Sequence, residues 1–168
     1  LAAVTRGATD AGGPAVAPFD AMALGVIGTA PREYPELRTV LVDLDPEMTR
    51  LAVENPLLAR LNQGSLRHPK VRVVNEDAFV WLVQPPADLF DVVIVDFPDP
   101  HNFSLGKLYT RHFYARLKSR LDPAGVVAVQ STSPLMARRS FWCINGTMEA
   151  AGFFVRPYHA LVPSFGEW

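Results

Sequence analysis

The sequence predicts a doubly wound, mostly parallel α/β sheet, and three observations carry that expectation. Short apolar, β-branched runs recur at 39–42, 71–74, 91–95 and 126–129. The text between them has helical spacing, so strand and helix alternate along the chain. Carboxylates then follow three successive runs, at Asp43, Asp77 and Asp96. Alternation of this kind belongs to a parallel sheet, and open sheets of that type bind ligands outside the carboxyl ends of their strands.

Each element has its own reason. Thr39-Val40-Leu41-Val42-Asp43 reads as a short buried strand ending in an acid. Asp45-Pro46-Glu47 starts a helix, because Asp caps free amides, Pro suits the first helical position and Glu favours the positive helix end. That helix runs to about Asn55, where Pro56 interrupts it. Val71 to Val74 is a second strand, followed by Glu76-Asp77 and a short helix through Trp81-Leu82, which Gln84-Pro85-Pro86 ends. Asp91 to Asp96 is the strongest strand, a continuous apolar run of the type buried on both faces. After Pro98-Asp99-Pro100, the segment from Tyr109 to Leu121 has helical spacing. Asp122-Pro123-Ala124-Gly125 breaks it, and Val126 to Gln130 forms the next strand. A helix around Arg139 to Ala151 stops at Gly152, and Phe153 to Val162 is the last extended segment.

Composition narrows the function. The chain has 168 residues, 49% of them hydrophobic and 20% charged, enough for one domain with a real core. A net charge of −1 with both signs interspersed points to neither nucleic acid nor an anionic membrane as partner. The apolar stretches fall short of the about 20 residues a membrane span needs. One cysteine, Cys143, leaves no internal disulfide, and a reducing cytoplasmic setting fits. His101 and His112 have no metal-ligand partner in sequence, so no metal is expected.

The chemistry is expected among the acids. A carboxylate after the second strand suits ribose hydroxyls, since each oxygen accepts hydrogen bonds from a vicinal diol. For Asp43 the rival role is a cap or turn, but Asp45 is better placed for that. Asp77 stands equally for a ligand contact and for a helix-start acid stabilised by the dipole. Asp96 and Asp99, three apart on a Pro-stiffened loop, can hold a cation and take a proton from it. The bland alternative is a turn in which Asp caps amides. Gln130 joins the strand-end residues. Trp81, Phe113, Phe141 and Trp142 are expected in the core or an interface. Cys143 is expected to be packed, and Arg138-Arg139 to be a solvated helix start.

Asp43-Leu44-Asp45-Pro46-Glu47, Glu76-Asp77-Ala78, the run 91–100, Leu108-Tyr109-Thr110, Phe113-Tyr114, Gln130-Ser131-Thr132-Ser133-Pro134 and the run 158–163 resemble, in order and spacing, the spermidine synthases. These polyamine aminopropyltransferases are matched over roughly Arg38 to Trp168. Asn102 to Lys107 is most similar to the bacterial branch often fused to membrane segments, which would put a longer fused protein at the cytoplasmic face of the membrane. The resemblance implies a Rossmann-like, methyltransferase-type domain with no prosthetic group. It implies decarboxylated S-adenosylmethionine as nucleoside co-substrate, a polyamine such as putrescine as acceptor, and a homodimer as one candidate assembly. By position it puts Asp43 on the donor ribose, Asp77 on the adenine and Asp20 at the acid of a glycine-rich donor turn. Asp96 is implied as general base. Asp99, Tyr158 and Gln130 are implied on the amine.

The opening departs from that pattern. Pro18-Phe19 stand where the family has glycines, and Ala15-Val16-Ala17 is a poor first strand. Residues 1–37 are therefore expected to be an altered or poorly ordered segment, and 38–168 an aminopropyltransferase-like Rossmann domain incomplete at its C-terminus. The first and last strands are expected to be weak or missing, and the family's small N-terminal β-domain absent. Phe165 replaces a tyrosine of many members. Two rivals stay open: a methyltransferase using intact S-adenosylmethionine, and an inactive remnant. The Asp96/Asp99 pair counts against the first, because that donor's carboxylate would sit poorly among acids.

Overall fold

Five strands form one all-parallel sheet: β1 (Ala2–Thr5), β2 (Thr39–Asp43), β3 (Val71–Asn75), β4 (Phe90–Asp96) and β5 (Leu121–Val129), in the order β3-β2-β1-β4-β5. The computed structural model describes residues 2–5, 37–85, 89–158, 161–162 and 166–167. The chain steps outward from β1 through β2 to β3, then resumes on the other side with β4 and β5. The winding thus reverses between β1 and β4, which makes their carboxyl ends the switch point where such sheets bind ligands.

The central strand corrects one expectation. It is Ala2–Thr5, well ahead of Ala15-Val16-Ala17, which lie outside the described residues. A strand laddered on both sides needs no long apolar run of its own, since β2 and β4 supply the strongly β-forming neighbours. Ala2 pairs with Val40 and Val93, and Thr5 pairs with Asp43 and Asp96.

The helices of this unit begin at side-chain caps. In α1 (Pro46–Glu54), Asp45 accepts from the Glu47 amide at 2.9 Å, with Pro46 in the first turn. Asn55 ends α1 and caps α2 (Pro56–Leu61), accepting from the Leu57 and Leu58 amides. Asp77 caps α3 (Ala78–Val83). Leu41, Ala52 and Leu66 form a buried cluster with Val53, Val71 and Val73 packed against it. In β4, Val93 and Val95 are fully buried, whereas Val92 and Ile94 are only partly so. One face is therefore more completely covered than the other, short of the burial on both faces expected from the apolar run.

The strand β5 begins earlier than the turn signal suggests. The pairing passes from Phe90–Leu121 to Val92–Val126, so Asp122-Pro123-Ala124-Gly125 is a bulge within the strand and not a gap before it. Bulges accept proline, which has no amide to give the ladder. Asp122 accepts from the Ala124 amide at 2.9 Å. A Cβ on Gly125 would lie 2.8 Å from the Phe90 carbonyl oxygen and 2.9 Å from that of Asp122, so the bulge needs glycine.

Residues 99–120 and 130–168 make a second compact unit. It contains α4 (Phe103–Gly106), a 3₁₀ turn at Lys107–Tyr109, α5 (Arg111–Lys118), α6 (Arg138–Ala150) and a two-residue antiparallel pair, β6 (Leu161–Val162) with β7 (Gly166–Glu167). Phe113, Tyr114 and Leu117 are the buried face of α5, which packs on α6. Burial pushes the Tyr114 hydroxyl up. Helix α6 buries Phe141, Ile144 and Met148, one stripe at helical spacing. The adjacent Trp142 and Cys143 turn outward and both are exposed, which for Cys143 is against the expectation of packing and for Trp142 sets aside the core half of the expectation. Gly152 (φ 88°) takes the left-handed stop after α6, and Lys118 donates to its carbonyl while standing 5.6 Å from the Phe153 ring centroid. Among the described residues of the segment from Phe153 to Val162, only Leu161–Val162 is strand, and it pairs with β7 instead of the five-stranded sheet. Among the described residues, no helix is long and apolar enough to cross a membrane, and no group of three His, Cys, Asp or Glu could hold a metal ion.

Candidate functional site

The carboxyl edge of the sheet places its acids by backbone register. Asn75, Asp43, Thr5 and Asp96 are successive partners on β3, β2, β1 and β4 and so form one level row. Asp43 and Asp96 stand two strand spacings apart, about 10 Å, on either side of the central strand. That is the spacing of two side chains that can touch different parts of one small ligand across the switch point.

Each acid has a distinct environment. Asp43 is 6% exposed, and its Oδ1 accepts the Asp45 amide at 2.7 Å. Asp45 points its own carboxylate at α1, so the two acids divide the work: Asp45 caps the helix and Asp43 shapes the turn at the sheet edge. The Asp43 carbonyl accepts the Glu76 amide at 2.9 Å. Asn75 donates to Thr49 Oγ1 at 3.0 Å, tying the end of β3 to α1. Asp77 accepts from the Phe79 amide at 2.9 Å. It performs the cap role that sequence weighed equally with a ligand contact. Asp96 is half-buried, and burial raises its carboxyl above the ordinary Asp range. A carboxylate raised in this way is a stronger base than an exposed one, which suits proton removal near neutral pH.

In the second unit the acid is held by side chains and turns. Asp99 is exposed. Its carbonyl accepts the His101 amide at 2.7 Å, and His101 Nδ1 lies 3.0 Å from the same oxygen. The Asp99 Oδ2 accepts from Thr132 Oγ1 at 3.1 Å. Thr132 is 7% exposed and has φ 56°. A β-branched residue in that left-handed region costs about 1–3 kcal/mol, strain of the kind that gathers at functional sites. Ser133 Oγ accepts from the Leu135 and Met136 amides at 3.2 and 3.3 Å, shaping the loop that follows.

The other sequence candidates divide. Gln130 is half-buried, and its Oε1 is buried with no hydrogen-bond partner among the described residues, so it has an acceptor left for a ligand. Tyr158 is 76% exposed. Asp20 and Phe165 lie outside the described residues. Two contributors were not singled out from sequence. Asn75 sits in the row at the sheet edge, and Asn at a strand end is a signal that could have found it. Thr132 offers no such signal, because a left-handed backbone at a threonine is invisible in the text.

The spermine/spermidine synthase domain model matches residues 25–168. Polyamine aminopropyltransferase 2 of Ralstonia nicotianae is 54% identical over 137 residues, covering 81% of this chain and 27% of that protein. The polyamine aminopropyltransferase of Leptospira interrogans is 51% identical over 145 residues, covering 84% and 29%. The chain thus spans 27% and 29% of the length of these two relatives. Among solved structures, the spermidine synthase of Thermotoga maritima superposes with a TM-score of 0.67 at 17% identity, covering 99% of this chain and 51% of that one. A spermidine synthase in complex with the transition state analogue AdoDATO gives 0.66, also at 17% identity, covering 99% and 50%. At that identity the likeness is one of fold.

Proposed function

The chain belongs to the spermine/spermidine synthase family, and on that premise we propose that it carries the aminopropyl-transfer site of a polyamine aminopropyltransferase. The donor is decarboxylated S-adenosylmethionine, a co-substrate, and the acceptor is a polyamine such as putrescine. The observation that carries this reading is the row Asp43–Thr5–Asp96 across the switch point, with a buried acid on one side and a half-buried, raised carboxyl on the other.

The chemistry asks for such acids. A polyamine is protonated at neutral pH, and an ammonium nitrogen has no lone pair. In this reading Asp96 takes the proton, and the freed nitrogen attacks the carbon beside the sulfonium. The C–N bond forms as the C–S bond breaks, and the bonding pair returns to sulfur, leaving a neutral thioether nucleoside. Asp43 accepts from the donor ribose and Asp77 lies toward its base. Asp99 anchors the amine that stays charged, with Gln130 and Tyr158 as further amine contacts. Donor and acceptor are both cations, so acids also offset their mutual repulsion. Because the sulfonium already leaves readily, orientation supplies much of the rest. A cytoplasmic setting accords with such substrates.

The test is calorimetric titration of the folded chain with decarboxylated S-adenosylmethionine and, separately, with S-adenosylmethionine. Micromolar binding of the decarboxylated donor is expected, weakened at least about tenfold, or about 1.4 kcal/mol, by Asp43→Ala. Tighter binding of the intact donor would favour a methyltransferase. Binding of neither would leave the chain as an inactive relative.

A further inference from the structure

Asp99 stands exposed on a loop, and an exposed carboxylate is ordinarily free to rotate. Here one of its oxygens is held. Oδ2 accepts the Thr132 hydroxyl at 3.1 Å, across a sequence separation of 33 residues, while among the described residues Oδ1 accepts no hydrogen bond. The backbone of the same residue is fixed by the His101 amide on the Asp99 carbonyl at 2.7 Å. The partner is itself built for the purpose. Thr132 is buried and adopts φ 56°, a conformation its branched Cβ disfavours and that glycine or asparagine would take more readily. A strained residue whose side chain ends on a carboxylate is a device for aiming that carboxylate.

We propose that Thr132 is a positioning residue: its hydroxyl fixes the Asp99 carboxylate so that Oδ1 meets a cationic amine. This rests on the reading of Asp99 as the amine anchor. Holding the acid in advance removes rotamer freedom that binding would otherwise have to quench, so amine affinity carries the effect and donor affinity does not.

The experiment is a double-mutant cycle read by calorimetry, with putrescine titrated into the chain saturated with 5′-methylthioadenosine, the thioether product. Thr132→Val keeps the shape and removes the hydroxyl, and is expected to weaken putrescine about three- to tenfold, the size of one ordinary net hydrogen bond. Thr132→Ser keeps the hydroxyl and should stay within about twofold of the parent. Nucleoside affinity should not move in either. In the Asp99→Asn background, Thr132→Val should cost nothing further, since it acts through the lost carboxylate. Thr132→Gly relieves the backbone strain and removes the hydroxyl, so it carries the same test should the valine variant fail to fold.

Three results would overturn the inference, and they separate it from the reading beneath it. If Asp99→Asn weakens putrescine but the Thr132 variants bind like the parent, Asp99 anchors the amine without Thr132. If the loss from Thr132→Val persists undiminished with Asp99→Asn, Thr132 acts by another route. If Asp99→Asn itself leaves putrescine binding unchanged, the anchor reading fails and the proposal falls with it.

Discussion

The acids at the sheet edge and Asp99, the acid that Thr132 holds, are placed by different forces. Asp43 and Asp96 are placed by ladder hydrogen bonds, as partners of Thr5 on opposite sides of the central strand. Asp99 is placed by one hydroxyl and one turn, with the hydroxyl carried on a backbone in the left-handed region. The comparison teaches where each site is vulnerable. A backbone-placed carboxylate loses its position only if the sheet does, so substitutions there separate chemistry from stability. A side-chain-placed carboxylate depends on a single neighbour, and a change of one hydroxyl is enough to unfix it.

The largest expected effect sharpens the first half of that contrast. Asp96→Asn preserves shape and register but cannot accept a proton, and transfer should fall about 10²- to 10⁴-fold. Stability should move the other way. Burial raises the folded carboxyl above its unfolded value, so between those two values the folded chain binds more protons than the unfolded one. The stability linked to Asp96 is fully present below the ordinary Asp range and is lost as pH rises through the raised value. At neutral pH the ionised group is therefore a cost, and Asp96→Asn should melt no lower than the parent and converge with it in acid. Melting curves at two pH values decide it. A variant that melts clearly lower at neutral pH would mean that Asp96 is held by stabilising contacts and not merely by register. Parent activity should likewise fall in acid from a higher pH than an exposed carboxylate would give.

The same division explains what could be seen in the text. The alternation of β-branched runs with capped helices gave away β2, α1, β3, α3 and β4, because each begins or ends on residues with a local job, such as Asp45, Asn55 and Asp77. The acids at the sheet edge followed from strand ends alone. The central strand escaped, since Ala2–Thr5 owes its place to two strong neighbours and not to its own composition. Asp122-Pro123-Ala124-Gly125 looked like a terminator and is a bulge, a choice made by pairing with Phe90 over a long sequence distance. Cys143 was expected to be packed and Trp142 to lie in the core or an interface, whereas the stripe of Phe141, Ile144 and Met148 decides which side of α6 is buried. The Thr132–Asp99 contact combines a long-range pairing with a disfavoured φ, and neither leaves a mark in sequence.

A smaller effect tests whether the sheet edge is as insulated as the comparison claims. Gly125→Ala would press a Cβ against the Phe90 and Asp122 carbonyl oxygens at 2.8 and 2.9 Å. Both are backbone atoms, so the bulge must shift, with an expected loss of about 1–3 kcal/mol in urea unfolding. Phe90 begins β4, at the opposite end from Asp96. Nucleoside affinity should therefore be kept in the folded variant. Loss of nucleoside binding without loss of stability would break the claim that the ladder alone sets the row.

The smallest expected effect concerns the two acids at the end of β2 and the start of α1. Asp45→Ala removes the α1 cap and should cost about 1 kcal/mol of stability. It should leave the Asp43 carboxylate where it is, because the hydrogen bond to Asp43 Oδ1 comes from the Asp45 backbone amide, which alanine retains. Nucleoside binding should stay within about twofold of the parent, a difference of less than about 0.5 kcal/mol. Asp43→Ala should do the reverse, sparing the cap and weakening the nucleoside. Calorimetry on both variants, with urea unfolding alongside, reads the exchange directly. If Asp45→Ala instead weakens the nucleoside as much as Asp43→Ala does, the two acids have been assigned the wrong way round, and the ligand contact at the end of β2 belongs to the residue that also starts the helix.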